Sequence, residues 1–331
     1  PLERKLQDSP VMARRTATTR PGKHRDRESG AGGKRGTIRV GTASWSDPGF
    51  VADWYPPDLP ARERLPWYAE HFNLVEVNSS FYALLGEKTV ERWVEQTPAD
   101  FVFDVKLHRL LSRHSTPIKY LPSGLRSIAS VKGTKVELTP KLETALTKEF
   151  LKNIEPLRSA GKLGALLLQL SPAFGPRDYF LSELDRLVGL LKGYLLAVEL
   201  RNRHWLDDER RTETIDYFKK HRVTLVGVDS PPSEHFMVMP SVDVVTNPKL
   251  AYLRAHGRNV HGYISGRTVP DRFDYDYSTK ELKEIAGRAE QLAEVAGTTH
   301  IIFNNNKSDY APRAALRFRK IVEPARTKVS T

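Results

Sequence analysis

A chain of 331 residues, 39% hydrophobic and 28% charged, is long enough for one large core and for a single α/β barrel of roughly 250 residues. Having no cysteine, it can hold no disulfide, thiolate zinc site or iron–sulfur cluster. It has no run of about 18 apolar residues and no apolar signal-peptide core near its start, so no membrane span is expected and a cytoplasmic location is the default.

The net charge of +12 is uneven. Residues 1–36 carry ten Lys/Arg and four acids, a surplus of +6. This stretch is rich in Arg, Thr, Ser and Gly and poor in large apolar groups, which predicts a disordered basic tail. Such an arm binds nucleic acid nonspecifically or merely solubilises.

From residue 37 to 322, strand-like and helix-like segments alternate. Strand patterns fall at 38–43, 74–78, 101–108, 165–170, 196–201, 223–229, 250–256 and 300–304. Helical spacing appears near 62–72, 87–96, 140–155, 178–192, 207–220, 279–296 and 309–322, as in Leu181, Leu184, Leu187, Val188 and Leu191. Regular alternation predicts a parallel sheet, and eight strands predict closure into a TIM-type (β/α)8 barrel as one domain. An open doubly wound sheet is the competitor, but Gly41-Thr42-Ala43-Ser44-Trp45 does not match a dinucleotide fingerprint, and no nicotinamide is expected. Residues 323–331 read as a frayed C-terminal tail.

The strands share a second pattern. In 101–108, Asp104, Lys106 and His108 occupy one face and bulky apolar residues the other. The same split sets Glu76 and Asn78, Gln169, Glu199 and Arg201, Asp229, Arg254 and His256, and Asn304 against Val, Leu, Ile, Ala and Phe. If helices cover the apolar side, the polar side faces the barrel axis. Loops after strands are long (44–61, 109–139, 230–248 and 257–278), and those before strands are short, so the long loops crowd the carboxyl-end face. The loop 109–139 is basic (Arg109, Arg113, Lys119, Arg126, Lys132 and Lys135 against Glu137) and reads as a lid, a phosphate-contacting rim or a solvated excursion.

Dispersed motifs then become recognisable. They are Val40-Gly41-Thr42 with Trp45, Trp54-Tyr55-Pro56, Val75-Glu76-Val77-Asn78-Ser79-Ser80-Phe81-Tyr82, Thr89-Val90-Glu91-Arg92-Trp93, Phe101 to Lys106, Leu168-Gln169-Leu170, Val198-Glu199-Leu200-Arg201 with Trp205, Arg254-Ala255-His256-Gly257-Arg258 and Phe303-Asn304-Asn305. In these the chain resembles domain-of-unknown-function family 72 (DUF72, YecE-like) over about residues 38–320. The resemblance implies a TIM-type barrel and no defined reaction. Ala43-Ser44, Ser171-Pro172 and Asn202-Arg203-His204 depart from the family pattern.

The polar ring supports several chemistries. Glu76 and Glu199, three strands apart, could oppose one another as in glycoside hydrolysis, with Trp45, Tyr55, Tyr82 and Trp205 stacking on a sugar or base. Alternatively Glu199 pairs with Lys106, Arg201 or Arg254 and the aromatics plug the mouth. Glu76, Glu199, Asp229 and His256 are donors suited to a divalent metal, although Lys106, Arg201 and Arg254 would crowd it. Lys106, Arg201, Arg254 and His256, with Arg109 and Arg258 one step beyond, suit an anion. Asn78, Gln169, Asn304 and Asn305 add neutral donors, and Tyr263 and Tyr275 could close over the mouth. The leading expectation is a hydrolase or lyase acting on a small phosphorylated sugar, nucleotide or nucleic-acid end. In it Glu199 is the general base, His256 the acid, Lys106 and Arg254 hold the anion, and Glu76 orients. A nucleotide- or nucleic-acid-binding protein without chemistry is the alternative.

Overall fold

The computed structural model describes residues 35–323. The tails expected over 1–36 and 323–331 lie almost wholly outside them. Arg35 and Gly36 are already docked, the latter donating its N–H to the Ala293 carbonyl at 2.8 Å.

The barrel strands are β1 (Thr37–Thr42), β2 (Leu74–Val77), β3 (Val102–Lys106), β4 (Leu163–Gln169), β5 (Leu195–Glu199), β6 in two pieces (Thr224–Leu225 and Gly227–Asp229), β7 (Ala251–Ala255) and β8 (Thr298–Phe303). Every neighbouring pair is parallel. β1 pairs with β8 from Thr37↔Thr298 to Thr42↔Phe303. The first piece of β6 pairs with β5 and the second with β7, while Val226 donates its N–H to the Val198 carbonyl at 2.9 Å. The ring therefore closes, and the open doubly wound alternative is set aside.

Local chemistry explains the elements. Val, Ile, Leu, Ala and Phe make up most of the strands, whose side chains are buried on both faces. The outer helix Thr279–Val295 starts with a capping box: Ser278 Oγ accepts the Glu281 N–H, and Glu281 accepts the Ser278 N–H at 2.8 Å. It then buries Leu282, Ile285, Ala286, Ala289, Leu292 and Ala293 at spacings of three and four. Each large apolar side chain so buried contributes about 1.5–3 kcal/mol. The helix Asp208–His221 stops at Arg222, which takes the left-handed conformation at φ 51°.

The long loops hold more structure than their sequences suggest. A short helix, Pro48–Asp53, lies in the first. The basic loop carries two 3₁₀ turns and a hairpin of Ser130–Lys132 with Lys135–Glu137. Two short helices, Val260–Ser265 and Val269–Arg272, lie in the last. The helix expected over 178–192 is a 3₁₀ turn, Leu181–Leu184, running into Asp185–Leu190.

The register shifts between β3 and β4, from Phe103↔Leu163 to Val105↔Leu166. The extra residue lies in β4, and at the shift the inward-facing Asp104 accepts the Ala165 N–H with its Oδ1 at 2.6 Å. Gly164 is required there, because a Cβ would lie 2.4 Å from Asp104 Oδ1. Beyond the shift, Lys106 and Gln169 point to the same side.

Candidate functional site

The barrel interior holds a polar network at two levels. At its deeper level Asp104 accepts from His300 Nδ1 (2.9 Å). Tyr252 donates its hydroxyl to Glu76 Oε2 at 2.9 Å. Arg254 crosses the axis above them. Its Nε and Nη2 bond both oxygens of Glu76 at 2.9 and 2.6 Å, and its Nη1 bonds Glu199 Oε2 at 2.5 Å. Arg254 is 1% exposed and both glutamates are 0% exposed, so these ions are paired with one another and not with water.

Glu199 is fully engaged. Besides Arg254 it accepts from Gln169 Nε2 at 3.0 Å, meets His256 Nε2 at 3.1 Å and lies 3.6 Å from Arg201. Burial alone would raise its carboxyl, but Arg254, His256 and Arg201 outweigh burial and hold it well below the usual carboxylate range. Asn304 Nδ2 donates to His256 Nδ1 at 2.9 Å, which leaves the ring proton on Nε2 for Glu199. Burial pushes His256 down to about 4, so the ring is neutral.

Above this layer opens a cavity of about 510 Å³ at the carboxyl ends of the strands. Lys106, Gln169, Arg201, Arg254 and Asn304 line its floor and wall. Asn78, Ser79, Phe81 and Tyr82 follow β2 into it. Ser44 and Asp47, His114, Tyr263, Arg272, Phe273 and Asn306 come from loops. Lys106 Nζ donates to Gln169 Oε1 at 2.8 Å and sits 4.6 Å from the centre of the Phe81 ring. Burial, with the charge of Arg254, outweighs the attraction of Glu76 and Glu199 and brings its ammonium down to about 7.

The family model described as "Protein of unknown function DUF72" matches residues 39–331. The chain belongs to the DUF72 family. It is 25% identical to UPF0759 protein YunF of Bacillus subtilis over 273 residues, which cover 81% of this chain and 89% of YunF. It is 30% identical to UPF0759 protein YecE of Escherichia coli K12 over 197 residues, 59% of this chain and 60% of YecE. A DUF72 family protein of Thermotoga maritima has a solved structure that superposes with a TM-score of 0.69 at 26% identity, covering 87% of this chain and 99% of that one.

In this DUF72 barrel the mouth gathers Lys106, Arg201, Arg254, Asn78, Gln169, Asn304 and Tyr82 from the residues singled out by sequence. Glu76 and Glu199 lie against Arg254, His256 lies against Glu199 and Asn304, and all three are buried and not among the lining residues. The two carboxylates do face each other, but Arg254 fills the space between them. The picture of opposed carboxylates flanking a substrate is corrected accordingly.

Asp229 is also corrected. Val228 is in register with Arg254 and shares its inner side, so Asp229 turns outward. There it accepts from Arg258 (3.1 and 2.8 Å), Tyr277 (2.7 Å) and Arg288 (3.0 Å) beside a surface hollow of about 690 Å³. A metal set of Glu76, Glu199, Asp229 and His256 does not assemble, and among the described residues no three His, Asp or Glu side chains group as metal ligands. Asn305 faces away from the mouth and donates to the Tyr275 carbonyl at 2.8 Å. Tyr275 itself donates to Glu281 at 2.5 Å, and only Tyr263 of that pair reaches the cavity.

The aromatics divide. Trp45 packs edge-on against Trp93 at 4.9 Å, behind β3. Its carbonyl accepts the Tyr55 hydroxyl, which buries Tyr55 as well. Trp205 lies 5.6 Å from Phe174 in a stack and donates its indole N–H to the Phe174 carbonyl at 2.8 Å. Tyr82, 55% exposed, stands at the cavity edge. His114, Phe273 and Asn306 were missed because irregular loops carry no periodic signal, and Arg272 because it ends a helix of four residues, too short to show one. The only pointer was the length and position of those loops.

No described helix is long and apolar enough to cross a membrane.

Proposed function

We propose that the barrel mouth binds a small substrate carrying an anionic group on a hydrogen-bonding body, and acts on it as a hydrolase or lyase. One observation carries this reading. Five residues lining the cavity present a buried polar atom without a hydrogen-bond partner among the described residues: Asn78 Oδ1, His114 Nε2, Arg201 Nε, Tyr263 Oη and Asn306 Oδ1. Buried polar atoms are normally satisfied, so a cluster of this kind marks a place built to contact something other than the protein.

The charge of the lining supports an anion. Lys106, Arg201 and Arg272 stand against Asp47, since Arg254, Glu76 and Glu199 are spent on one another beneath the floor, and Arg254, expected to hold the anion, has no guanidinium nitrogen free for it. Arg201, only 14% exposed, offers a planar fork to phosphate or carboxylate. Proton transfer by Glu199 and His256 is not favoured, because one carboxylate is strongly held ionised and the imidazole is held neutral. Lys106 is the better-placed titrating group.

The alternative, a nucleotide- or nucleic-acid-binding protein without turnover, is favoured by a neighbouring groove of about 420 Å³. Tyr82, Lys119, Tyr120 and Arg126 line it, and Arg109 lies 5.0 Å from the Tyr120 ring centre.

Thermal-shift titration with inorganic phosphate, sugar phosphates and mononucleotides tests the reading. A ligand selective for the folded form raises Tm. The rise should vanish in Arg201→Gln while the unliganded Tm stays within a few degrees. An unchanged response in Arg201→Gln, or no response to any anion, contradicts it.

A further inference from the structure

Two lysines are buried among the described residues, and their surroundings differ. Lys162 Nζ donates to the carbonyls of Val94 and Thr97, both at 2.7 Å, and meets the Thr97 hydroxyl at 3.0 Å. That ammonium is saturated and structural. Lys106 Nζ has one hydrogen bond, to the neutral Gln169 Oε1, and no carboxylate within 4.0 Å among the described residues. Its other sides meet the Phe81 ring and the cavity. The nearby carboxylates, Glu76 and Glu199, are taken up by Arg254. A lysine desolvated against an aromatic ring and beside guanidinium groups is the arrangement that frees an amine lone pair for covalent chemistry.

We propose that Lys106 forms an imine with the carbonyl carbon of a small aldehyde or ketone whose anionic group is held by Arg201. This rests on the anion-binding reading above and narrows its reaction class to a lyase. In the first step the amine lone pair forms the C–N bond and the carbonyl π pair moves to oxygen, which takes a proton. The nitrogen gives up both of its protons, the oxygen takes a second and leaves as water, and C=N remains. Amine and carbonyl become imine and water, with nothing oxidised or reduced. Once protonated, the imine accepts the electron pair of a bond breaking one carbon away. His114 lines the same cavity with its Nε2 unpartnered among the described residues, and burial, aided by Lys106, holds its ring at about 4, so it faces Lys106 as a neutral hydrogen-bonding group that adds no charge. With its ammonium brought down to about 7, a far larger share of Lys106 is neutral at neutral pH than of an exposed lysine near 10.4.

Reductive trapping tests this with the full chain. Glyoxylate and sodium cyanoborohydride at pH 7 convert an imine at Lys106 to a carboxymethyl-lysine, located by peptide mass spectrometry. Lys106 should be modified at least about tenfold faster than the exposed Lys119 and Lys132. Glyoxylate should outpace neutral glycolaldehyde at that site, and inorganic phosphate should slow it. Arg201→Gln should remove the preference for the anionic aldehyde. If Lys106 reacts no faster than Lys119 while phosphate still raises Tm through Arg201, the imine is overturned and the anion site stands. If Lys106 reacts selectively but phosphate and Arg201→Gln change nothing, the anionic substrate class is overturned. If neither trapping nor phosphate binding occurs, both readings fall.

Discussion

Arg254 on β7 reaches across the barrel axis to Glu76 on β2, its Nε and Nη2 bonding the two carboxylate oxygens at 2.9 and 2.6 Å with both side chains sealed from solvent. The remaining arm of the same guanidinium holds Glu199 at 2.5 Å. This one cation fixes two acids that the sequence alone offers as catalytic candidates. It also decides which charges are left to face the mouth.

Removing Arg254 strands two buried carboxylates. Arg254→Met is expected to destabilise the fold by about 3–5 kcal/mol, as for other broken buried ion pairs. Adding Glu76→Gln should recover part of that loss, because one unpaired charge is removed with it. Urea unfolding of the single and double variants measures both terms. Equal loss in each would mean that Glu76 is not coupled to Arg254.

Lys106 gives a pH signature. Its folded value of about 7 lies below the ordinary 10.4, so between these limits the unfolded chain binds more protons. Stability should therefore rise with pH from about 7 to about 10. Of the charged groups facing Lys106, Glu199 is held well below the usual carboxylate range and Arg254 above its own, so neither changes charge across this window. Lys106→Met should flatten that rise in chemical denaturation series. An unchanged slope would show that the ammonium is not displaced.

His256 and His114 act in a second window. Both are lowered to about 4 by burial, so between pH 6.5 and 4 the unfolded chain again binds more protons and stability falls with acid. His256→Gln should lessen that fall, and NMR titration should show the His256 ring neutral at pH 6.

Asp104 and Asp229 separate fold from site. Asp104→Ala leaves the Ala165 N–H and His300 without their acceptor and should cost about 1–3 kcal/mol for each stranded donor. Asp229→Asn weakens the pairings to Arg258 and Arg288 on the outer face. Neither residue lines the mouth, so phosphate affinity should persist in both variants, as calorimetric titration would report.

Much of this was legible in the sequence. Strand–helix alternation gives the barrel, because parallel strands need helical crossovers. Alternation of side chains places Lys106, Gln169, Glu199 and Arg254 inside. The same rule fails for Asp229, since β6 pairs with β7 in a register that sends Val228 inward. Which acid Arg254 would bind was not readable, because Glu76, Glu199 and Arg254 meet only through barrel closure. Trp45 and Trp205 sit beside strand ends as the pattern suggests, yet pack outward onto Trp93 and Phe174. The loop contributors His114, Phe273 and Asn306 leave no period to follow.

The central claim is that the barrel mouth holds an anion between Lys106 and Arg201. A crystal structure of the full chain soaked with a sugar phosphate tests it most directly. The account predicts the phosphoryl oxygens bonded to Arg201 and within hydrogen-bond reach of Lys106 Nζ. A phosphoryl group bound only at the Lys119–Arg126 groove or in the hollow beside Asp229, with the mouth unoccupied, would contradict it.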